Sequence, residues 1–204
     1  MSPLSLVGTN LRCDRGSRTV FAGVSFAVAA GCALALTGPN GAGKTSLLRL
    51  VAGLVPHADG ELKLKGGDGE RTIGEQSHYF GHHDALKPAL TVTENLAFWM
   101  RALGGAPGSS LGAALDAVAL SGLAELPAQY LSEGQRRRLA LARLLAVSRP
   151  LWLLDEPTAA LDADAQARLF ALIAAHLAGG GMALVATHVP LAIASAELKL
   201  GAAA

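Results

Sequence analysis

Residues Gly38-Pro-Asn-Gly-Ala-Gly-Lys44-Thr45 constrain this chain more than any other stretch. The apolar run Ala33-Leu-Ala-Leu36 leads in, and Ser46-Leu-Leu-Arg-Leu-Val-Ala52 follows with helical residues, so the segment predicts strand, loop and helix in succession. The glycines let successive backbone N–H groups converge on phosphate oxygens, and a helix N-terminus behind them adds partial positive charge. Lys44 supplies a mobile cation for the outer phosphates, and Thr45 a hydroxyl suited to Mg²⁺. A plain glycine turn would need neither the lysine nor the hydroxyl here. The expectation is a nucleoside triphosphate site formed by Gly38, Pro39, Asn40, Gly41, Ala42, Gly43, Lys44, Thr45 and Ser46.

At 204 residues the chain has room for one substantial α/β core with an inserted subdomain. A formal net charge of +1 argues against a dedicated nucleic-acid binder, which usually carries a strongly basic face. Mean hydropathy is +0.37, but alanine supplies much of it, and no run reaches the roughly 18 uninterrupted apolar residues of a membrane span. The first residues lack the basic start and apolar core of a signal peptide, so the chain is expected to be soluble and to stay in the cytoplasm. Cys13 and Cys32 are too isolated for a CxxC metal site and are expected to be ordinary buried or partly buried thiols.

Along the chain, Leu4 to Leu11, Val20-Phe21 and Val24 to Val28 read as short strands, with Gly16 and Gly31 at turns. Glu61-Leu-Lys-Leu-Lys65 alternates like a half-exposed strand. From about Thr91 to Pro150 the pattern turns helical: Thr93 to Leu103, Leu111 to Ala119, and a third helix from the capping box Ser132…Gln135 to about Ser148. In that third helix Leu139, Ala142 and Ala146 are spaced for one buried face, and Gly104 to Ser110 is the clearest break. Leu151-Trp-Leu-Leu154 then suits a strand buried on both faces, Ala163 to Leu177 a helix, and Met182 to Thr187 a last apolar strand. The expected organisation is one domain over residues 1–204, with 1–90 and 151–204 as catalytic core and about 91–150 as a helical subdomain.

Three apolar strands each end at a chemically equipped position: the phosphate loop after Leu36, Asp155-Glu156 after Leu154, and His188 after Thr187. In a parallel sheet these ends share one edge, where open α/β sheets bind ligands. Asp155 is expected to complete the Mg²⁺ shell begun by Thr45, and Glu156 to polarise the water that attacks the γ-phosphate. Solvated loop charge is a poorer account of an Asp-Glu pair behind four apolar residues.

Leu131-Ser-Glu-Gly-Gln135 resembles the signature of ABC transporter ATPases, usually Leu-Ser-Gly-Gly-Gln, and it precedes the Asp155-Glu156 strand as in that family. The resemblance covers nearly the whole chain. It implies a P-loop NTPase of the α/β class, with a parallel-sheet core, an N-terminal antiparallel β subdomain and an inserted helical subdomain. It further implies hydrolysis of ATP with Mg²⁺, coupled to transmembrane permease subunits, in a sandwich of two chains that requires no nucleic acid. By the same resemblance, Ala160-Leu161-Asp162 is the D-loop and His188 the switch histidine, while Ser132 and Gly134 meet the γ-phosphate held by the second chain and Gln135 belongs to the same nucleotide-binding set. A helix N-terminus capped by Ser132 suits an anion on physical grounds as well.

Two departures stand out. Arg15 occupies the position where the family often has an adenine-stacking aromatic; its guanidinium could stack or stay in water. His82, in Tyr79-Phe-Gly-His-His-Asp84, stands where the family has the Q-loop glutamine, with a role beside Mg²⁺ and the attacking water. A closed metal or haem site at His82 and His83 is not expected, because neighbours in a strand point to opposite faces. His82, the lead-in Leu11-Arg-Cys-Asp-Arg15, Leu86 to Leu96 and the short chain together resemble the ATP-binding subunits of haem exporters that serve cytochrome c biogenesis. This implies a peripheral protein on the cytoplasmic face of the inner membrane, meeting haem only through partners; the chain has no CxxCH attachment motif. Glu133 is unusual at the middle of the signature. Arg136-Arg-Arg138 and Arg143 are expected to form a solvated basic face rather than an RNA contact. Phe98-Trp99-Met100, with the loop from His82 to Pro88, either seats a partner's cytoplasmic helix or packs as core. The rival readings are a soluble ABC ATPase acting on ribosomes or DNA, an ABC subunit for another substrate, and a small-molecule kinase.

Overall fold

The computed structural model describes residues 3–104 and 108–201. The middle of the expected Gly104–Ser110 break, the first two residues and the alanine tail therefore lie outside the described residues. Contacts divide the chain into two units: one takes in the chain up to Tyr79, Pro150–Pro157 and everything from Ile173 onward, the other Phe80–Arg149 and Thr158–Leu172.

The first unit opens with two long strands, β1 (Ser5–Arg15) and β2 (Arg18–Ala29), where the sequence predicts shorter pieces. The apparent interruption after Phe21 is a bulge rather than an end: Leu11 pairs with Val24 but Cys13 with Phe21, and Gly23 takes up the extra residue of β2 at φ 70°. Next come β3 (Ala33–Thr37), α1 (Lys44–Val51) and β4 (Asp59–Lys65). The antiparallel sheet has the order β2-β1-β4, and β4 shows the half-exposed alternation that its sequence predicts.

The second sheet of this unit contains β5 (Ser77–Phe80), β6 (Leu151–Asp155), β7 (Met182–Ala186) and β8 (Ala196–Lys199) in the order β5-β6-β7-β3-β8. Strands β6 and β7 are buried at every residue, as expected of parallel strands covered on both faces. β3 is parallel to β7, and β7 to β6, with Leu36 opposite Ala186 and Ala186 opposite Asp155. The carboxyl ends of the three central strands therefore lie in one row. Beneath them, Leu34, Leu36, Leu47, Leu48, Leu153 and Leu184 belong to the main apolar cluster, each contributing roughly 1.5–3 kcal/mol by burial. The two free cysteines divide: Cys13 is buried, and burial pushes its thiol up, whereas Cys32 is exposed, contrary to the expectation for it. Cys32 follows Gly31 in a surface turn before β3, which explains the difference.

The second unit carries α2 (Val92–Leu103), α3 (Leu111–Ala117), α4 (Glu133–Ala146) and the start of α5 (Ala163–Ala178). Thr91 and Glu94 cap α2 reciprocally. Asn95, fully buried, donates to the Lys87, Leu90 and Thr91 carbonyls and accepts from the Lys87 N–H, fixing the turn that leads into α2. Helix α4 begins with the predicted Ser132–Gln135 capping box, and Leu139, Ala142 and Ala146 are buried as their spacing predicts.

The basic outer face does not exist. Arg137 and Arg143 are buried, and no residue from Gly134 to Val147 is fully exposed. Each guanidinium has an aromatic platform, 3.9 Å from the Phe80 ring centroid for Arg137 and 4.7 Å from that of Trp99 for Arg143. Burial pulls the Arg143 pKa down to about 10, which still leaves it charged at neutral pH. Trp99, half-buried, also donates its indole N–H to the Ala85 carbonyl at 3.0 Å. His82 and His83 lie beyond β5, which ends at Phe80, and both are exposed in irregular chain; the alternation of a strand does not apply to them.

Candidate functional site

The phosphate loop connects β3 to α1 as its sequence predicts, with the helix beginning at Lys44 rather than Ser46. Gly38, at φ 127°, needs glycine for a second reason: a Cβ there would collide with the Leu200 carbonyl. Gly43 precedes the helix at φ 100°, and a Cβ on it would come within 2.9 Å of the Val20 and Phe21 side chains. No side chain caps α1, whose N-cap is Gly43. The Lys44 ammonium is held over the loop by the Gly38 and Pro39 carbonyls at 2.7 and 3.1 Å.

Thr45 donates its hydroxyl to Asp155 Oδ1 at 3.1 Å, although 110 residues separate the two. Asp155 is 1% exposed and its other carboxylate oxygen accepts from the Tyr79 hydroxyl at 3.3 Å. Tyr79 in turn accepts from Arg49 Nε at 3.3 Å. Burial raises the Tyr79 pKa, so the phenol keeps its proton to donate; the Tyr79 contact raises the Arg49 pKa in return. A hydroxyl and a buried carboxylate side by side are the hard oxygen donors that a small divalent cation takes. The sequence does not single out Tyr79 or Arg49. Arg49 was within reach of a spacing argument, since it lies four residues after Thr45 on the same helical face.

One residue beyond Asp155, Glu156 adopts φ 47°, a conformation uncommon outside glycine, while its N–H donates to Ala186 O at 2.9 Å. This turns the carboxylate to His188, whose Nε2 lies 3.3 Å from Glu156 Oε1. Both are accessible, with side chains 21% and 48% exposed. The row of strand ends thus brings together Thr45, Asp155, Glu156 and His188.

Arg15 is exposed at the tip of the β1/β2 hairpin, opposite Arg18, and Val20 and Phe21 of the same hairpin rest beside Gly43. In the second unit, Ser132 accepts from the Gln135 N–H at 3.2 Å while Gln135 Oε1 accepts from the Ser132 N–H at 2.8 Å, and Ser132 and Glu133 are exposed. Gly134 packs beside the Ala160 carbonyl, 3.2 Å from where its Cβ would stand. Ala160 takes φ 59°, and Asp162 caps the following helix through the Ala165 N–H at 2.8 Å.

The sequence pattern of the ABC transporter family matches residues 21–159. A protein of Nitrobacter winogradskyi named cytochrome c biogenesis ATP-binding export protein CcmA is 61% identical over 98% of this chain and 100% of its own length. The chain belongs to the ABC transporter family, among the CcmA proteins. A CcmA protein of Rhodopseudomonas palustris is 59% identical over 98% of this chain and 99% of its own. Among solved structures, an ATP-binding subunit of an ABC transporter superposes with a TM-score of 0.82 at 25% identity, covering 96% of this chain and 85% of that one. A dimeric ATP-binding cassette in a post-hydrolysis state, bound to ADP and Pi, has the same fold, with a TM-score of 0.77 at 24% identity over 90% and 88%. The fold of this CcmA-family chain is thus the P-loop NTPase fold of ABC ATPases. No helix among the described residues is long and apolar enough to cross a membrane.

Proposed function

We propose that this chain is the ATP-binding and ATP-hydrolysing subunit of an ABC transporter complex in cytochrome c biogenesis, acting on haem only through membrane partners. The observation that carries this reading is the meeting at one sheet edge of the Thr45–Asp155 pair, at 3.1 Å, with the Glu156–His188 pair, at 3.3 Å. The family supports the pathway, since relatives more than half identical along their whole length are named for cytochrome c biogenesis and export.

In this reading the N–H groups of Gly38 to Ser46 hold the triphosphate, and Lys44 exchanges the Gly38 and Pro39 carbonyls for phosphate oxygens. Thr45 and Asp155 would hold Mg²⁺, which neutralises charge on the outer phosphates when bound. Tyr79 and Arg49 keep the Asp155 carboxylate turned to Thr45. Glu156 orients and polarises the attacking water, and His188 holds Glu156 and contacts the γ-phosphate. His82 takes the part of the Q-loop glutamine. Arg15, on the hairpin tip, covers the adenine. Ser132, Gly134 and Gln135 form a helix N-terminus offered to the nucleotide of a second copy. Both units then make one ABC ATPase domain over residues 1–204, with 1–90 and 151–204 as the catalytic core and about 91–150 as the helical part, seated on permease subunits at the cytoplasmic face of the inner membrane.

The test is Glu156→Gln in the complex purified from membranes. ATP should bind as before while turnover falls by roughly 10²–10³-fold. Unimpaired hydrolysis would remove Glu156 from its role, and a native complex holding an unrelated permease and no haem would remove the pathway.

A further inference from the structure

The buried arginines of α4 take no part in the chemistry above, yet one of them grips the segment that carries His82. Arg137 is 4% exposed. Its Nη1 donates to the Gly81 carbonyl at 2.5 Å and lies 3.6 Å from Asp84 Oδ1, while the guanidinium sits 3.9 Å from the Phe80 ring centroid. These contacts bracket His82: the residue before it, the residue two before and the residue two after. His82 itself is exposed and belongs to no helix or strand. A planar guanidinium can hold a carbonyl, a carboxylate and a ring face together, which a lysine ammonium cannot do in one geometry.

We propose that Arg137 is a positioning residue for ATP turnover, which fixes the Gly81–Asp84 backbone and thereby sets His82. The grip comes from α4, the helix that Ser132 caps and that opens with Gly134 and Gln135. One rigid helix therefore carries both the signature and the anchor of the His82 segment, and a displacement of the signature moves that segment with it. This rests on the reading of His82 as acting in turnover. A merely structural Arg137 would stabilise the unit without any energetic link to His82.

The test uses the full chain in its native complex, with Arg137→Gln, Arg137→Lys, His82→Ala and the Arg137→Gln/His82→Ala pair. ATPase kcat and KM are measured with amide hydrogen exchange over residues 81–85. Arg137→Gln should lower kcat by about tenfold, leave the KM for ATP within about twofold, and speed exchange in that segment but not in the phosphate loop. Added to His82→Ala, it should slow turnover by less than about twofold more, because both act through one group. Losses that multiply in the double variant, or unchanged exchange over 81–85, would overturn the proposal. Should Arg137→Gln not fold, Arg137→Lys decides, with the same loss of kcat and faster exchange expected and wild-type exchange overturning. Wild-type turnover of His82→Ala would instead refute the role of His82, and the exchange at 81–85 would still show whether Arg137 holds the segment.

Discussion

Lys44 and Arg137 are both largely buried cations, 8% and 4% exposed, each bound to backbone carbonyls, but they are held by different kinds of neighbour. The carbonyls that hold Lys44 belong to Gly38 and Pro39, six and five residues away in its own loop. The carbonyl that holds Arg137 belongs to Gly81, 56 residues away, and its ring platform is Phe80. A cation held by its own loop can release to a ligand without disturbing anything beyond that loop. One held across the fold is part of the packing, and releasing it frees a distant segment. The phosphate loop is therefore a site built locally, whereas the His82 segment is built remotely.

The comparison breaks most readily at Lys44. Lys44→Ala should weaken ATP binding by about 100-fold, or about 2.8 kcal/mol, while the melting temperature stays within roughly 2 °C. A fall in Tm as large as that of Arg137→Gln would mean that the loop is not energetically local. Ser132→Ala probes the other end of α4. Losing the cap should cost about 1 kcal/mol, a Tm loss of roughly 2–4 °C by thermal denaturation, in addition to any loss of turnover. If Tm is unchanged, the capping box is not what starts the helix.

The smallest effect belongs to His176, which stacks on Trp152 at 4.1 Å and lies 3.1 Å from the Met182 carbonyl. Burial lowers its pKa below the ordinary 6.5, against the opposing pull of the Met182 and Pro150 carbonyls. The unfolded chain therefore takes up this proton first. The stability contributed by neutral His176 is complete above about pH 6.5 and is lost as pH falls through the lowered folded value. Denaturant midpoints at pH 7.5 and pH 5 should differ less in His176→Phe than in the unchanged chain, and equal differences would sink the idea.

The same contrast explains what could be read in advance. The phosphate loop, Asp155-Glu156, the α4 cap and the three central strands were legible because their signals lie within a few residues of each other. Strand β8 was not: Ala196-Glu-Leu-Lys199 consists of good helix formers, and it becomes a strand because β3 offers it a parallel edge, with Leu36 opposite Leu198. Arg137 and Arg143 read as surface charge because composition cannot show that Phe80 and Trp99 will cover them. Tyr79 and Arg49 were missed for a related reason, since their connection is to a carboxylate brought in from β6.

The sequence by itself determined the family, the strand-loop-helix that grips phosphate, and the residue types available for hydrolysis, because each depends on spacing along one short run. Only the tertiary structure decided that Thr45 meets Asp155, that Glu156 turns to His188 through a left-handed backbone, and that Arg137 faces inward to the chain before His82. Those are contacts across 110, 32 and 56 residues, and the geometry of such pairs is settled by how the sheets and helices pack rather than by any local preference.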